Sequence, residues 1–114
     1  MKHIVHVDNS EFFRKLMKTY LSERGLDSES FSRGEDAINA VNDGKANCVI
    51  SGLTLADMSG EELVKRIAVS SKPVPVIIVT SSEDETQAKR LGALDVKAII
   101  HKSGDWKEEL NKYF

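Results

Sequence analysis

The sequence predicts an α/β fold: a three-layer, open, doubly wound arrangement built around a five-stranded parallel sheet, (βα)5 in chain order. Two observations carry this prediction. Short β-rich apolar runs alternate five times with longer amphipathic segments, and the 114 residues suffice for one hydrophobic core. Such alternation requires parallel strands joined by right-handed helical crossovers, with helices on both faces. We therefore expect one domain over residues 1–114.

The strands are predicted from short apolar runs rich in β-branched residues. These runs are Ile4 to Val7, Leu26 to Phe31, Cys48 to Ser51, Val74 to Val79 and Ala98 to Ile100.

The helices are predicted from apolar residues at helical spacing between those runs. The first three segments are Ser10 to Arg24, Glu35 to Val41 and Glu61 to Val69. A fourth helix is expected to start at the Ser-x-x-Glu pattern of Ser82 and to end near Gly92. The stripe of Trp106, Leu110 and Tyr113 predicts a fifth helix with a core-facing side.

Composition favours a cytoplasmic protein with neither nucleic acid nor membrane as its partner. A hydrophobic content of 40% is ordinary for a globular protein. The formal charge of −2 gives no electrostatic reason to expect binding to nucleic acid or to an anionic membrane. The apolar stretch at the N-terminus is too short for a signal peptide, and no segment is long enough to span a membrane. Cys48 lies in an apolar run, as expected of a buried thiol in a reducing compartment.

Polar residues follow four of the predicted strands. Asp8-Asn9, Ser51-Gly52, Thr80-Ser81 and His101-Lys102 stand at the carboxyl ends of those strands. In open α/β sheets this edge holds the functional site. A carboxylate, a hydroxyl and an ammonium are therefore predicted to converge on one crevice. His6 and His101 are expected to be packing or edge residues, because no cluster of His and Cys has zinc-ligand spacing.

These strand ends, together with the turn Asp57-Met58-Ser59-Gly60, closely resemble the response-regulator receiver domain, the CheY-like family. The resemblance implies a flavodoxin/receiver-like fold over essentially the whole chain. It also implies that Asp8, Thr80 and Lys102 match an acidic Mg²⁺ ligand, a hydroxyl and a lysine of the family's phosphorylation pocket.

The chain departs from the family pattern at four positions. Gly52 stands where the family carries its phosphorylated Asp, and Asn9 replaces a second carboxylate. Ile99 replaces the Tyr or Phe that often acts as a switch, and Ser103 replaces the usual Pro. Gly52 is also compatible with a tight turn after the strand. The five residues Asp8, Asn9, Gly52, Thr80 and Lys102 are thus predicted to form a degenerate phosphorylation pocket.

A receiver without its acceptor implies a pseudo-receiver: a non-enzymatic, phosphorylation-independent protein-interaction module of a two-component-type regulator. No cofactor is expected, and Mg²⁺ should bind at most weakly at Asp8, because a hard cation wants several charged oxygens. The resemblance implies that a protein partner or output domain docks on the face formed by the fourth helix, the fifth strand and the fifth helix. Asp8 and Lys102 should pair, in a pocket that stays closed and metal-free.

Two alternatives stay open. The chain could be a signalling receiver phosphorylated at a non-standard site, for which Asp57 and Thr54 are the candidates, although Asp57 fits a turn residue better. It could also be a flavodoxin-like enzyme or nucleotide binder. That class wants a Gly-rich or Ser/Thr-rich phosphate loop after the first strand, and Asp8 to Phe12 is acidic and bulky instead.

Overall fold

The computed structural model describes residues 3–114, in which strands and helices alternate along the chain. The strands are β1 (His3–Val7), β2 (Asp27–Phe31), β3 (Cys48–Ser51), β4 (Val76–Thr80) and β5 (Ala98–His101). The helices are α1 (Glu11–Glu23), α2 (Gly34–Asn42), α3 (Gly60–Ala68), α4 (Glu85–Gly92) and α5 (Trp106–Asn111). The predicted order of elements is confirmed.

All strand pairs in the sheet are parallel, and the strand order is β2-β1-β3-β4-β5. The chain runs outward from β1 to β2 and then returns to β3 on the other side of β1. The strand order therefore reverses between β1 and β3. This switch point places the residues after these two strands side by side at the carboxyl edge, which confirms the predicted doubly wound fold.

Each face of the sheet is covered by its own hydrophobic core. On one face α1 and α5 bury a cluster that includes Phe13, Met17 and Leu110. On the other face α2, α3 and α4 bury a cluster that includes Ile67 and Leu91. Alternate strand residues point to opposite faces, so the sheet is buried on both sides and the site is confined to its edge.

The helix ends follow local capping rules, and the structure corrects the predicted start of one helix and of one strand. Ser10 caps α1 by accepting a hydrogen bond from the Phe13 amide, as the pattern predicts. The fourth helix does not start at Ser82, because Asp84 is its N-cap and accepts from the Thr86 and Gln87 amides. The fourth strand begins at Val76 rather than at Val74.

The burial of the predicted core residues agrees with the sequence. Cys48 is buried, as predicted. Trp106 and Tyr113 pack against the cluster below α1 and α5, which confirms the core-facing stripe. Between residues 3 and 114 the structure has no helix with the length and apolar character needed to cross a membrane.

Candidate functional site

A polar cleft of about 410 Å³ opens at the carboxyl ends of β1, β3, β4 and β5. The structure brings all five predicted pocket residues to its lining: Asp8, Asn9, Gly52, Thr80 and Lys102. The expectation of a closed pocket is wrong, because these residues line an open cleft rather than a sealed one. Sequence reasoning also missed Gln87, which reaches the lining from α4.

Asp8 and Lys102 form an ion pair across the cleft. Lys102 Nζ lies 3.0 Å from Asp8 Oδ2, and Asp8 is only 4% exposed. The Ser10 amide donates to Asp8 Oδ1 at 2.8 Å, whereas Oδ2 accepts no hydrogen bond and meets the ammonium as an ion pair only. The predicted pair is therefore confirmed. The carboxylate of Asp8, the one acidic residue of the predicted pocket, is paired with the Lys102 ammonium.

Lys102 is held from two further directions. Its amide donates to the Thr80 carbonyl at 2.8 Å, which joins the ends of β4 and β5. Its ammonium lies 4.1 Å from the centroid of the Phe13 ring, within the range of a cation–π contact. Phe13 in turn packs edge-on against Trp106 at 5.0 Å between centroids. The lysine is thus fixed by a carboxylate, a strand and an aromatic pair.

Gly52 is buried at the end of β3, directly beside Asp8. Its φ angle lies outside the left-handed region, so the backbone conformation alone does not require a glycine at this position. A Cβ atom at this position would lie 2.9 Å from Asp8 Oδ2 and 3.2 Å from Asp8 Cγ. The Asp8 carboxylate thus lies where a side chain at position 52 would begin, and a larger residue there needs Asp8 to move.

Thr80 and Asn9 complete the predicted set. Thr80 is buried, and its hydroxyl oxygen accepts a hydrogen bond from the Ser82 amide at 3.0 Å. Asn9 is exposed at the rim. Ile99 does not line the cleft; it is half-buried in a neighbouring cavity that shares Thr80 and Ser82 with it.

Asp57 lies outside the lining of the cleft and caps α2 instead. Its Oδ1 accepts from the Gly34 amide at 2.6 Å and its Oδ2 from the Glu35 amide at 3.1 Å. Although desolvation opposes the shift, these two amides and the Arg33 guanidinium together lower the pKa of the Asp57 carboxyl. Of the two alternative acceptors, only Thr54 reaches the cleft.

His6 is buried within β1, and neither ring nitrogen has a hydrogen-bond partner. Burial is the main cause that lowers the pKa of its imidazole from 6.5 to about 4; Asp8 opposes this shift, and Lys102 and Arg14 add to it. The ring packs edge-on against Phe13, with 5.8 Å between centroids. His6 is thus a neutral packing residue, as predicted, and His101 is exposed at the end of β5.

The donor set of the cleft does not fit Mg²⁺. Within residues 3–114 no three His, Cys, Asp or Glu side chains come together as a metal site. Asp8 is the carboxylate nearest to position 52, and its Oδ2 already faces the Lys102 ammonium. A small divalent ion that wants several anionic oxygens would have to displace this ammonium.

The comparisons with known proteins agree with this geometry. Residues 4–113 match the family model of the response regulator receiver domain. The chain belongs to this family. The receiver domain is 33% identical over 99 residues to the transcriptional regulatory protein GltR of Pseudomonas aeruginosa, covering 85% of this chain and 40% of that protein. It is 32% identical over 96 residues to a protein-glutamate methylesterase/protein-glutamine glutaminase of Haloarcula marismortui, covering 83% of this chain and 26% of that protein.

Among solved structures, the receiver domain is similar to the chemotaxis response regulator CheY4 of Vibrio cholerae. The TM-score is 0.86 at 23% identity, over 99% of this chain and 95% of that one. At this identity the likeness concerns the fold alone. The chain spans less than half the length of the two curated relatives, 40% and 26%, so their printed activities concern proteins with further segments.

Proposed function

We propose that this receiver domain is a pseudo-receiver, a phosphorylation-independent interaction module of a two-component regulator. One observation carries the proposal: the strand end that faces Lys102 holds Gly52, and the Asp8 carboxylate approaches within 2.9 Å of where a side chain would start. Phosphoryl transfer to a receiver needs a nucleophile at the reacting position. A glycine offers none.

The electrostatics of the cleft support the same proposal. Asp8 and Lys102 neutralise each other at 3.0 Å without a metal ion. Removing one partner from such a pair would leave an unpaired charge in a partly buried site. Binding of a phosphoryl group or Mg²⁺ has to break this pair, so the cleft is stable in its unmodified state.

The proposed partner surface is the face of α4, β5 and α5. Ile99 lies on β5 of this face and is half-buried. An aliphatic side chain has no hydroxyl tip to exchange between a buried and an exposed position, so this face keeps one conformation without a phosphorylation signal. A partner or output domain of the same regulator then docks constitutively.

Intact-mass analysis after incubation with acetyl phosphate and Mg²⁺ tests the central claim. The native chain should keep its mass, because no carboxylate stands at position 52. The matched control is the double variant Asn9→Asp/Gly52→Asp, which restores both missing carboxylates and should gain a phosphoryl group. Gain of a phosphoryl group by the native chain would contradict the proposal, and fragmentation would then show whether Thr54 at the cleft carries it.

A further inference from the structure

A second cavity, of about 310 Å³, lies beside the cleft between β5, α4 and the loop before α4. Its floor is apolar and consists of Leu53, Ala88, Leu91 and Ile99. The volume is at the lower end of the roughly 300–1,000 Å³ typical of ligand pockets. It therefore has room for one long side chain rather than for a large cofactor.

The mouth of this cavity is acidic. Three consecutive carboxylates line it, those of Glu83, Asp84 and Glu85, and all three residues are exposed. Across residues 3–114 no Lys or Arg side chain forms a salt bridge with any of them. His101 is the one basic side chain in the lining. The rim thus carries negative charge that no cationic side chain between residues 3 and 114 pairs with, although Asp84 accepts amide hydrogen bonds and Glu83 accepts one from Ser103.

We infer that this cavity receives an arginine side chain from a basic segment of a protein partner; the inference rests on the proposed interaction role and names the partner's chemistry. The aliphatic stem of arginine packs on Leu91 and Ile99, and its guanidinium meets the carboxylates of Glu83 and Glu85. Long cationic side chains combine an apolar stem with a charged head in this way. The planar head of arginine also forms two parallel hydrogen bonds to a carboxylate, which lysine does not.

Charge complementarity selects this occupant over the others that would fit by size. An uncharged apolar group would fill the floor but take water from three carboxylates without replacing their hydrogen bonds. An acidic group would be repelled by the same rim. Asp84 also caps α4, accepting from the Thr86 amide at 2.9 Å, so the rim is fixed to a helix end rather than carried on a free loop.

The test uses the whole chain and a blocked peptide of alternating Ala and Arg, followed by amide chemical shifts. We expect binding in about the millimolar range, with shifts confined to residues 83–88 and 99–101. The same peptide with citrulline, the uncharged isostere of arginine, should not bind. Glu83→Gln/Glu85→Gln should weaken binding at least about threefold, as expected for losing two exposed charge pairs.

Two further variants complete the design. Glu23→Gln/Glu109→Gln removes the same charge from exposed positions outside the cavity and should bind as the native chain does. Ile99→Phe places a ring in the cavity and should abolish binding. Shifts elsewhere, no binding at millimolar concentration, equal binding of the citrulline peptide, or equal binding of the Glu83/Glu85 variant would each overturn the inference.

The outcome is independent of the phosphorylation test. A chain that stays unphosphorylated and does not bind the peptide overturns only the arginine site. A chain that accepts phosphate and still binds the peptide overturns only the pseudo-receiver proposal.

Discussion

Substitution of Gly52 by Ala tests whether Asp8 occupies the space of a side chain at position 52. The new methyl carbon would lie 2.9 Å from Asp8 Oδ2 and 3.2 Å from Asp8 Cγ. Good van der Waals separations between heavy atoms are about 3.5–4.0 Å. Asp8 must therefore move, although the Ser10 amide at 2.8 Å and Lys102 at 3.0 Å hold it in place.

The size of the effect follows from two opposing contributions to the free energy of unfolding. Overpacking a well-filled site costs about 1–3 kcal/mol. Replacing Gly by Ala at an allowed φ angle recovers about 0.4–1 kcal/mol by restricting the unfolded chain. We therefore expect Gly52→Ala to destabilise the protein by about 1–2 kcal/mol, measured as a lower urea midpoint at unchanged slope.

A double-mutant cycle separates the contact with Asp8 from other effects. In an Asp8→Ala background the contact is gone, so Gly52→Ala should be neutral or stabilising by up to about 1 kcal/mol. Gly92→Ala is the matched control, since a Cβ atom there meets nothing within 4 Å. Equal destabilisation by Gly52→Ala in both backgrounds would refute the claim that Asp8 and a side chain at 52 compete for space.

Two further predictions concern titration and capping. Because the folded pKa of His6, about 4, lies below 6.5, the unfolded chain takes up the proton first; stability should be full above pH 6.5 and fall toward pH 4 by up to about 3 kcal/mol. His6→Leu should flatten this pH dependence, measured as the free energy of unfolding in urea at pH values above and below 6.5. If the free energy of unfolding depends on pH as strongly in His6→Leu as in the native protein, the burial argument is contradicted. Asp57→Ala should cost about 1 kcal/mol by uncapping α2, whereas Asp57→Asn should recover part of it through its remaining oxygen; equal urea midpoints for native protein and Asp57→Ala would refute the cap.

The elements of the fold were predictable because hydrophobic periodicity reports burial directly. The errors lie at element ends, where a short pattern allows more than one solution. β4 starts at Val76 because Pro75 has no amide to donate to the sheet. At α4 both Ser82 and Asp84 are suitable caps, and the loop geometry decides for Asp84. Local sequence does not contain that geometry.

The members of the cleft were predictable from strand ends, but their contacts were not. The topology alone brings Asp8, Gly52, Thr80 and Lys102 to one edge. The capping of α2 by Asp57 joins residues 23 positions apart and depends on how the loop after β3 folds back. Whether the cleft is open or closed depends on the volume left by side chains, which no residue pattern encodes.

The departures from the receiver pattern at positions 52 and 9 fit one physical explanation. A carboxylate added at position 52 would face Asp8 at close range, and like charges at such a distance destabilise each other unless a cation lies between them. With Gly52 in place, the Lys102 ammonium pairs with the carboxylate of Asp8 at 3.0 Å. On the proposed pseudo-receiver role, a domain without a carboxylate at position 52 needs neither Mg²⁺ nor a second acidic ligand at position 9.

On the proposed pseudo-receiver role, a signal reaches the domain through a partner surface rather than through phosphorylation at the cleft. The cavity beside Ile99 shares Thr80 and Ser82 with the cleft, so an occupant of one contacts residues that line the other. Thr80 is tied to Lys102 through its carbonyl and to Ser82 through its hydroxyl. On the proposed interaction role, any coupling between a partner at this cavity and the Asp8 and Lys102 pair would pass through Thr80. Thermodynamic linkage requires that any such coupling act equally in both directions.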